Sequence, residues 1–225
     1  MTTTIPLTPD PNNGESIQQH KQQVLIAYGL TFGLVDQALR DSVRRATDWF
    51  GLLGGSIDLS VHAAVTRYLT KLYLSARDVA VENEEALFEL EKIPNCGLCL
   101  EGQGYEIRIL KNSSEGVPKA ASEARSRFYS SNQLQLTFSA EHSASQPRVP
   151  LNLVLLWDMD SSYSYSGLEV ACPRGERNDG TVDCYWKERW KSIEVAPILP
   201  EQAPPTSEAD LDEIRAFPTK VAASS

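Results

Sequence analysis

Apolar positions along the chain follow two different rhythms. From Glu15 to Pro94 they recur by threes and fours, the spacing of one helix face, and beyond Cys96 they alternate or run together in short blocks, as strands do. The first segment predicts a helix from about Glu15 with Val24, Tyr28, Phe32, Val35, Leu39, Val43, Ala46 and Phe50 on one face. Gly29 and Gly33 lie inside it and cost helix stability, so they mark either close packing against a neighbour or a break near Tyr28. Gly51, Gly54 and Gly55 end it, since glycine accepts the left-handed conformation of a C-terminal cap. A second helix starts at Asp58 or Ser60, both good N-caps, with Val61, Ala64, Val65, Tyr68, Leu72, Ala76 and Val79 as its buried stripe. It continues, or restarts after Asn83, through Leu87, Phe88 and Leu90 until Pro94 stops it. Two such helices joined by a glycine turn form an antiparallel hairpin.

The longest apolar run, LNLVLLWDMD at Leu151–Asp160, is too short for a core helix and reads as a strand buried on both faces. Around it a sheet can be assembled. Leu98–Leu100 and Tyr105–Lys111 predict a β-hairpin across Gly102, Gln103 and Gly104, with Tyr105, Ile107 and Ile109 pointing one way. Ala120–Tyr129 reads as a short helix, and Gln133–Phe138 as a strand with Leu134, Leu136 and Phe138 inward. Gly167–Cys172 and Thr181–Trp186 complete the set. The expected fold is α+β: an N-terminal antiparallel helical hairpin, then a mainly antiparallel sheet of five or six strands with one short helix. The expected divisions are a flexible arm at 1–14, the helical hairpin at 15–94, the sheet region at 95–196 and an acidic, proline-rich tail at 197–225.

Composition narrows the class without naming a function. The chain has 225 residues, 41% hydrophobic and 23% charged, enough to bury a substantial core. No apolar run nears the ~20 residues that span a bilayer, and the N-terminus lacks a basic, then apolar, leader. The expected location is therefore the cytoplasm, where cysteines remain thiols. A net charge of −9 disfavours nonspecific nucleic-acid binding. The charge is uneven: residues 1–103 carry −5, residues 104–191 carry 0, and residues 192–225 carry −4.

Several constellations can carry chemistry. Asp158 and Asp160 project to one side of a strand, and a hairpin that brought Glu169 opposite Asp158 would gather three carboxylates fit for Mg²⁺ or Mn²⁺ and phosphodiester cleavage. The plainer reading is a strand turning polar as it leaves the core. Cys96, Cys99, Cys172 and Cys184 could bind zinc tetrahedrally, although the second pair lacks knuckle spacing. Buried free thiols are the alternative. His20, His62 and His142 lie in no catalytic motif, and neither a nucleophile elbow nor a P-loop occurs. Trp186 and Trp190, among Lys187, Arg189 and Lys191, suit base stacking or protein anchoring, or else simple core packing. In the tail, Leu211, Ile214 and Phe217 recur every third residue among acids, a pattern able to dock in a groove.

The segments GYEIRILK, SEARSRFY, LNLVLLWDMD and LEVACPRG, with the loop proline Pro118, resemble a group of uncharacterised bacterial proteins, chiefly actinobacterial, over about residues 104–175. The resemblance implies a helical front, this kind of sheet and an acidic tail. Some members are encoded beside helix-turn-helix regulators, as toxin–antitoxin or defence pairs are. It transfers no catalytic residue. The leading expectation is a non-enzymatic, protein-binding or regulatory module that needs no cofactor. The alternatives are a metal-dependent nuclease using Asp158, Asp160 and Glu169, and a zinc-stabilised binding module.

Overall fold

The structure, a computed structural model, describes residues 13–54, 58–80, 88–93, 97–102, 104–112, 116–134 and 151–191. Helix α1 (Gly14–Ala27) begins at Asn13, whose side-chain oxygen accepts the backbone N–H groups of Glu15 and Ser16 at 3.0 and 3.3 Å. Helix α2 (Gly29–Leu53) follows after one residue, so the expected break falls at Tyr28. Both glycine readings meet there: a Cβ on Gly29 would lie 3.4 Å from the Trp190 ring. Gly54, at φ 65°, closes α2 in the left-handed region. Helix α3 (Leu59–Ala80) is opened by Asp58, whose side chain takes the N–H of Ser60 at 2.7 Å.

The sheet has six strands: β1 (Glu89–Ile93), β2 (Gly97–Gly102), β3 (Tyr105–Lys111), β4 (Leu151–Met159), β5 (Tyr165–Glu176) and β6 (Val182–Arg189). They lie side by side in chain order. All neighbours are antiparallel except β3 and β4, which are parallel and joined through helix α4 (Glu123–Leu134). This is the expected α+β arrangement, with two local corrections. Leu90 belongs to a strand, not to a continued helix, because Glu89–Ile93 pairs residue for residue with Gly97–Glu101. Phe88, just before it, is buried in the same core. Gln133 and Leu134 end α4, and the remainder of the strand expected at Gln133–Phe138 lies outside the described residues.

Strand β4 is the middle of this sheet, buried along almost its whole length. Leu151, Leu153, Leu155, Trp157 and Met159 face a core shared with α1, α2 and α3, where Val24, Phe32, Val35, Leu39 and Val43 meet them. Val154 and Leu156 face the opposite side and pack with Phe128 and Tyr129 of α4. The alternation follows from the two-residue period of a strand, and the result is three layers. Each fully buried Leu or Phe in them is worth about 1.5–3 kcal/mol. Polar clamps fix the layers. Asp36, 4% exposed, accepts the Tyr165 hydroxyl at 2.6 Å and pairs with Arg40 at 3.0 Å, tying α2 to β5. Burial, then the adjacent Asp36 carboxylate, pushes the Tyr165 hydroxyl far above its ordinary pKa.

Candidate functional site

Helix α3 is mounted in the reverse sense to the one its apolar residues suggest. Its core-facing side is His62, Ala63, Thr66, Thr70 and Leu74, one turn apart. At about 100° per residue, Val61, Ala64, Val65, Tyr68 and Leu72 then project on the far side. Val61 is 48%, Tyr68 36% and Leu72 49% exposed. The stripe expected to be buried is thus the outward face of the helix, at least over residues 61–72. Trp49, Leu52 and Leu59, also exposed, stand near the end where α2 hands over to α3. Soluble surfaces carry scattered apolar side chains as a matter of course, but a stripe at helical spacing has the form of a docking ridge.

The polar side of α3 can be buried because its groups are satisfied. The Thr70 hydroxyl donates to the Thr66 carbonyl at 2.8 Å. Thr47 of α2 donates to the Tyr163 carbonyl at 3.0 Å, so its oxygen is left to accept from His62 Nε2 at 2.9 Å. Nε2 therefore carries a proton, and Thr66 Oγ1 lies 3.3 Å from Nδ1, which accepts from it when the ring is neutral. That ring is stacked between Phe50 and Tyr163, with centroids 5.6 and 5.4 Å away. Tyr163 sits at φ 60°, an uncommon setting for a residue with a side chain, in the turn between β4 and β5. His62 therefore joins α2, α3 and the sheet at one point.

Burial, then the Lys111 charge, holds the His62 pKa below its ordinary 6.5. The unfolded chain takes up a proton first as pH falls. The stabilisation is therefore complete above pH 6.5 and is lost as pH drops through the folded value. Urea midpoints are expected to fall between pH 7.5 and 5.5, and to fall less in His62→Gln. Equal slopes in the two proteins would show that His62 does not titrate across the unfolding transition.

The expected carboxylate cluster is not brought together. Asp158 pairs across the ladder with Gly167, and Glu169 with Leu156, two residues away from the expected register. Each acid has other partners. Asp158 accepts the Met159 N–H at 2.8 Å and lies in the field of Lys111. Asp160 accepts the N–H groups of Ser162 and Ser164 at 2.8 and 3.0 Å and the Ser162 hydroxyl at 2.6 Å, shaping the turn. These bonds hold its carboxyl below the usual range, the Ser162 hydroxyl first. Glu169 forms an ion pair with Lys187 at 3.0 Å. Among the described residues no group of three or more His, Cys, Asp or Glu is placed to hold a metal ion.

The cysteines are separated by the strand order. Cys99 is on β2 and Cys172 on β5, with β3 and β4 between them. At about 4.8 Å per strand that is roughly 14 Å, far beyond a shared zinc with bonds of about 2.3 Å. Cys184, on β6, is opposite Pro173, next to Cys172. Cys172 and Cys184 are free thiols; burial, then Asp183, pushes Cys184 up to about 11. Cys96 lies outside the described residues. Trp186, 6% exposed, donates to His20 Nδ1 at 3.0 Å, and Trp190 packs edge-on against Phe32 at 5.5 Å. Trp186 belongs to the core beneath α1 and α2 and is no surface anchor, while Trp190 is partly buried and packs against that core. Leu211, Ile214 and Phe217 lie outside the described residues.

No family model, curated protein or solved structure matches the chain. No helix among the described residues is long and apolar enough to cross a membrane.

The sequence held the signal for α3 in a form easily misread. Two stripes compete on that helix. Hydrophobicity favours Val61, Val65, Tyr68 and Leu72. The structure buries the other, which carries His62, Ala63, Thr66, Thr70 and Leu74.

Proposed function

We propose that the protein is a non-enzymatic binding module of the cytoplasm that contacts another protein through the outward face of α3. The observation that carries this reading is the exposure of Val61, Ala64, Tyr68 and Leu72, with Val65 half-buried between them, on a helix whose opposite side is fixed to the core. A ridge of this spacing fits the groove or helix of a partner, and an aromatic such as Tyr68 is a favoured anchor. The resemblance to proteins encoded beside regulators makes a neighbouring gene product, as in a toxin–antitoxin pair, the first candidate. A metal-dependent nuclease is less well supported, since Asp158, Asp160 and Glu169 each have other work in the fold.

A photo-crosslinking amino acid at Tyr68, in the native host, tests this. It is expected to give a discrete protein adduct that is absent when the same group replaces Arg127, an exposed residue of α4. No adduct at Tyr68, or the same adducts at both positions, would overturn the reading.

A further inference from the structure

We infer that the partner presents an acidic amphipathic helix to the α3 ridge; this rests on the reading of α3 as the contact surface. Val61, Val65, Tyr68 and Leu72 are spaced by four, three and four residues, three helical turns that offer a continuous seam about 16 Å long. The borders of this seam are cationic. On one side stand Lys71, about 90° around the helix from its middle, and the partly buried Arg67, about 130° from it. On the other stands Tyr73, with the Arg45 guanidinium 5.2 Å above its ring and Arg44 close by. The acids on that border are Asp41, already paired with Arg44 at 3.5 Å, and Asp58, which accepts the Ser60 N–H at the start of the helix. Lys111, at the end of β3, lies within the field of Arg67, although Asp158 offsets it.

This basic frame stands out on a chain of net charge −9. It also discriminates between occupants. A second copy in antiparallel register would bring Arg67, close to the middle of the seam, toward its own image, where like charges repel. A helix with an apolar seam and Glu or Asp on both flanks would meet apolar residues with apolar ones and cations with anions.

The test uses the full-length protein and two labelled synthetic peptides of about 15 residues, about four helical turns. Both carry Leu at positions i, i+4, i+7 and i+11. One has Glu and the other Lys on the flanks. Fluorescence anisotropy is expected to show the Glu peptide binding at least about tenfold more tightly at ~50 mM salt, with the gap narrowing toward ~0.5 M. Leu72→Ser is expected to weaken binding, and Arg67→Gln with Lys71→Gln to remove the preference, while thermal melting stays that of the parent. Equal affinity for both peptides, lost in Leu72→Ser, would sink the acidic partner but leave α3 as a docking face. Failure of both peptides, with the Tyr68 adduct still formed, would do the same. A concentration-dependent dimer in sedimentation, abolished by Leu72→Ser, would overturn the inference in favour of a second copy.

Discussion

An Asn132→Ala protein is expected to be about 3–5 kcal/mol less stable than the parent, a large part of the ~5–15 kcal/mol a domain typically has. Asn132 is fully buried on α4. Its side chain accepts the Asn152 N–H at 2.9 Å and donates to the carbonyls of Asn152 and Pro173, both at 2.8 Å. The position explains the effect. The β4–β5 ladder reaches Val154 opposite Ala171, and the next pair across would be Asn152 and Pro173. Proline has no N–H, and on its other side β5 shifts register against β6 at Pro173. The Asn132 amide fills that gap. Without it one N–H and two carbonyls stay buried, each costing about 1–3 kcal/mol before relaxation. Asn132→Leu does not help, because the unpaired groups belong to the backbone. Denaturant unfolding followed by tryptophan fluorescence measures the loss. A cost below about 1 kcal/mol would mean that water or strand closure replaces the amide.

Trp157→Ala is expected to cost about 3–5 kcal/mol, while Trp157→Phe stays within about 1.5 kcal/mol. Trp157 is the largest fully buried side chain and sits in the helix-facing core near the end of β4. Alanine would leave a cavity bounded by strands on both sides, which cannot close far. Phenylalanine keeps most of the ring and removes an indole N–H that finds no acceptor among the described residues. The gain from losing an unpaired donor offsets part of the lost volume. Equal costs for the two variants would show that the indole N–H matters more than ring volume.

What could be read from the sequence followed how many structures each pattern permits. Leu151–Met159 admitted one reading, because a short apolar run beside proline has few alternatives. The Tyr105–Lys111 hairpin was equally clear: alternation at Tyr105, Ile107 and Ile109 was reinforced by Gly102, where a Cβ would overlap the Tyr105 ring. Leu90 was misread because two apolar residues near a helix extend its period by chance, and the strand it joins is defined by a partner beyond Pro94. The α3 face was misread for a deeper reason. Periodicity shows that a helix has an apolar side, but which side meets the core depends on what packs there. Here that is Thr47, Tyr163 and the ring of His62. The carboxylates failed on a displacement of two residues in the β4–β5 ladder, set by a turn that Asp160 itself shapes.

Strand order equal to chain order has a consequence for how the molecule folds. The antiparallel neighbours join segments close in sequence, whereas the parallel seam of β3 and β4 must close roughly forty residues between Lys111 and Leu151. The two meanders, β1–β3 and β4–β6, are therefore expected to form first and the seam last. Conservative truncation along it, such as Ile107→Val, should speed unfolding and leave the folding rate nearly unchanged. A slowed folding rate would place the seam in the nucleus instead. Until the seam closes, β3 and β4 each present an open, apolar edge, so self-association during refolding should begin there and not at the charged outer edge of β6.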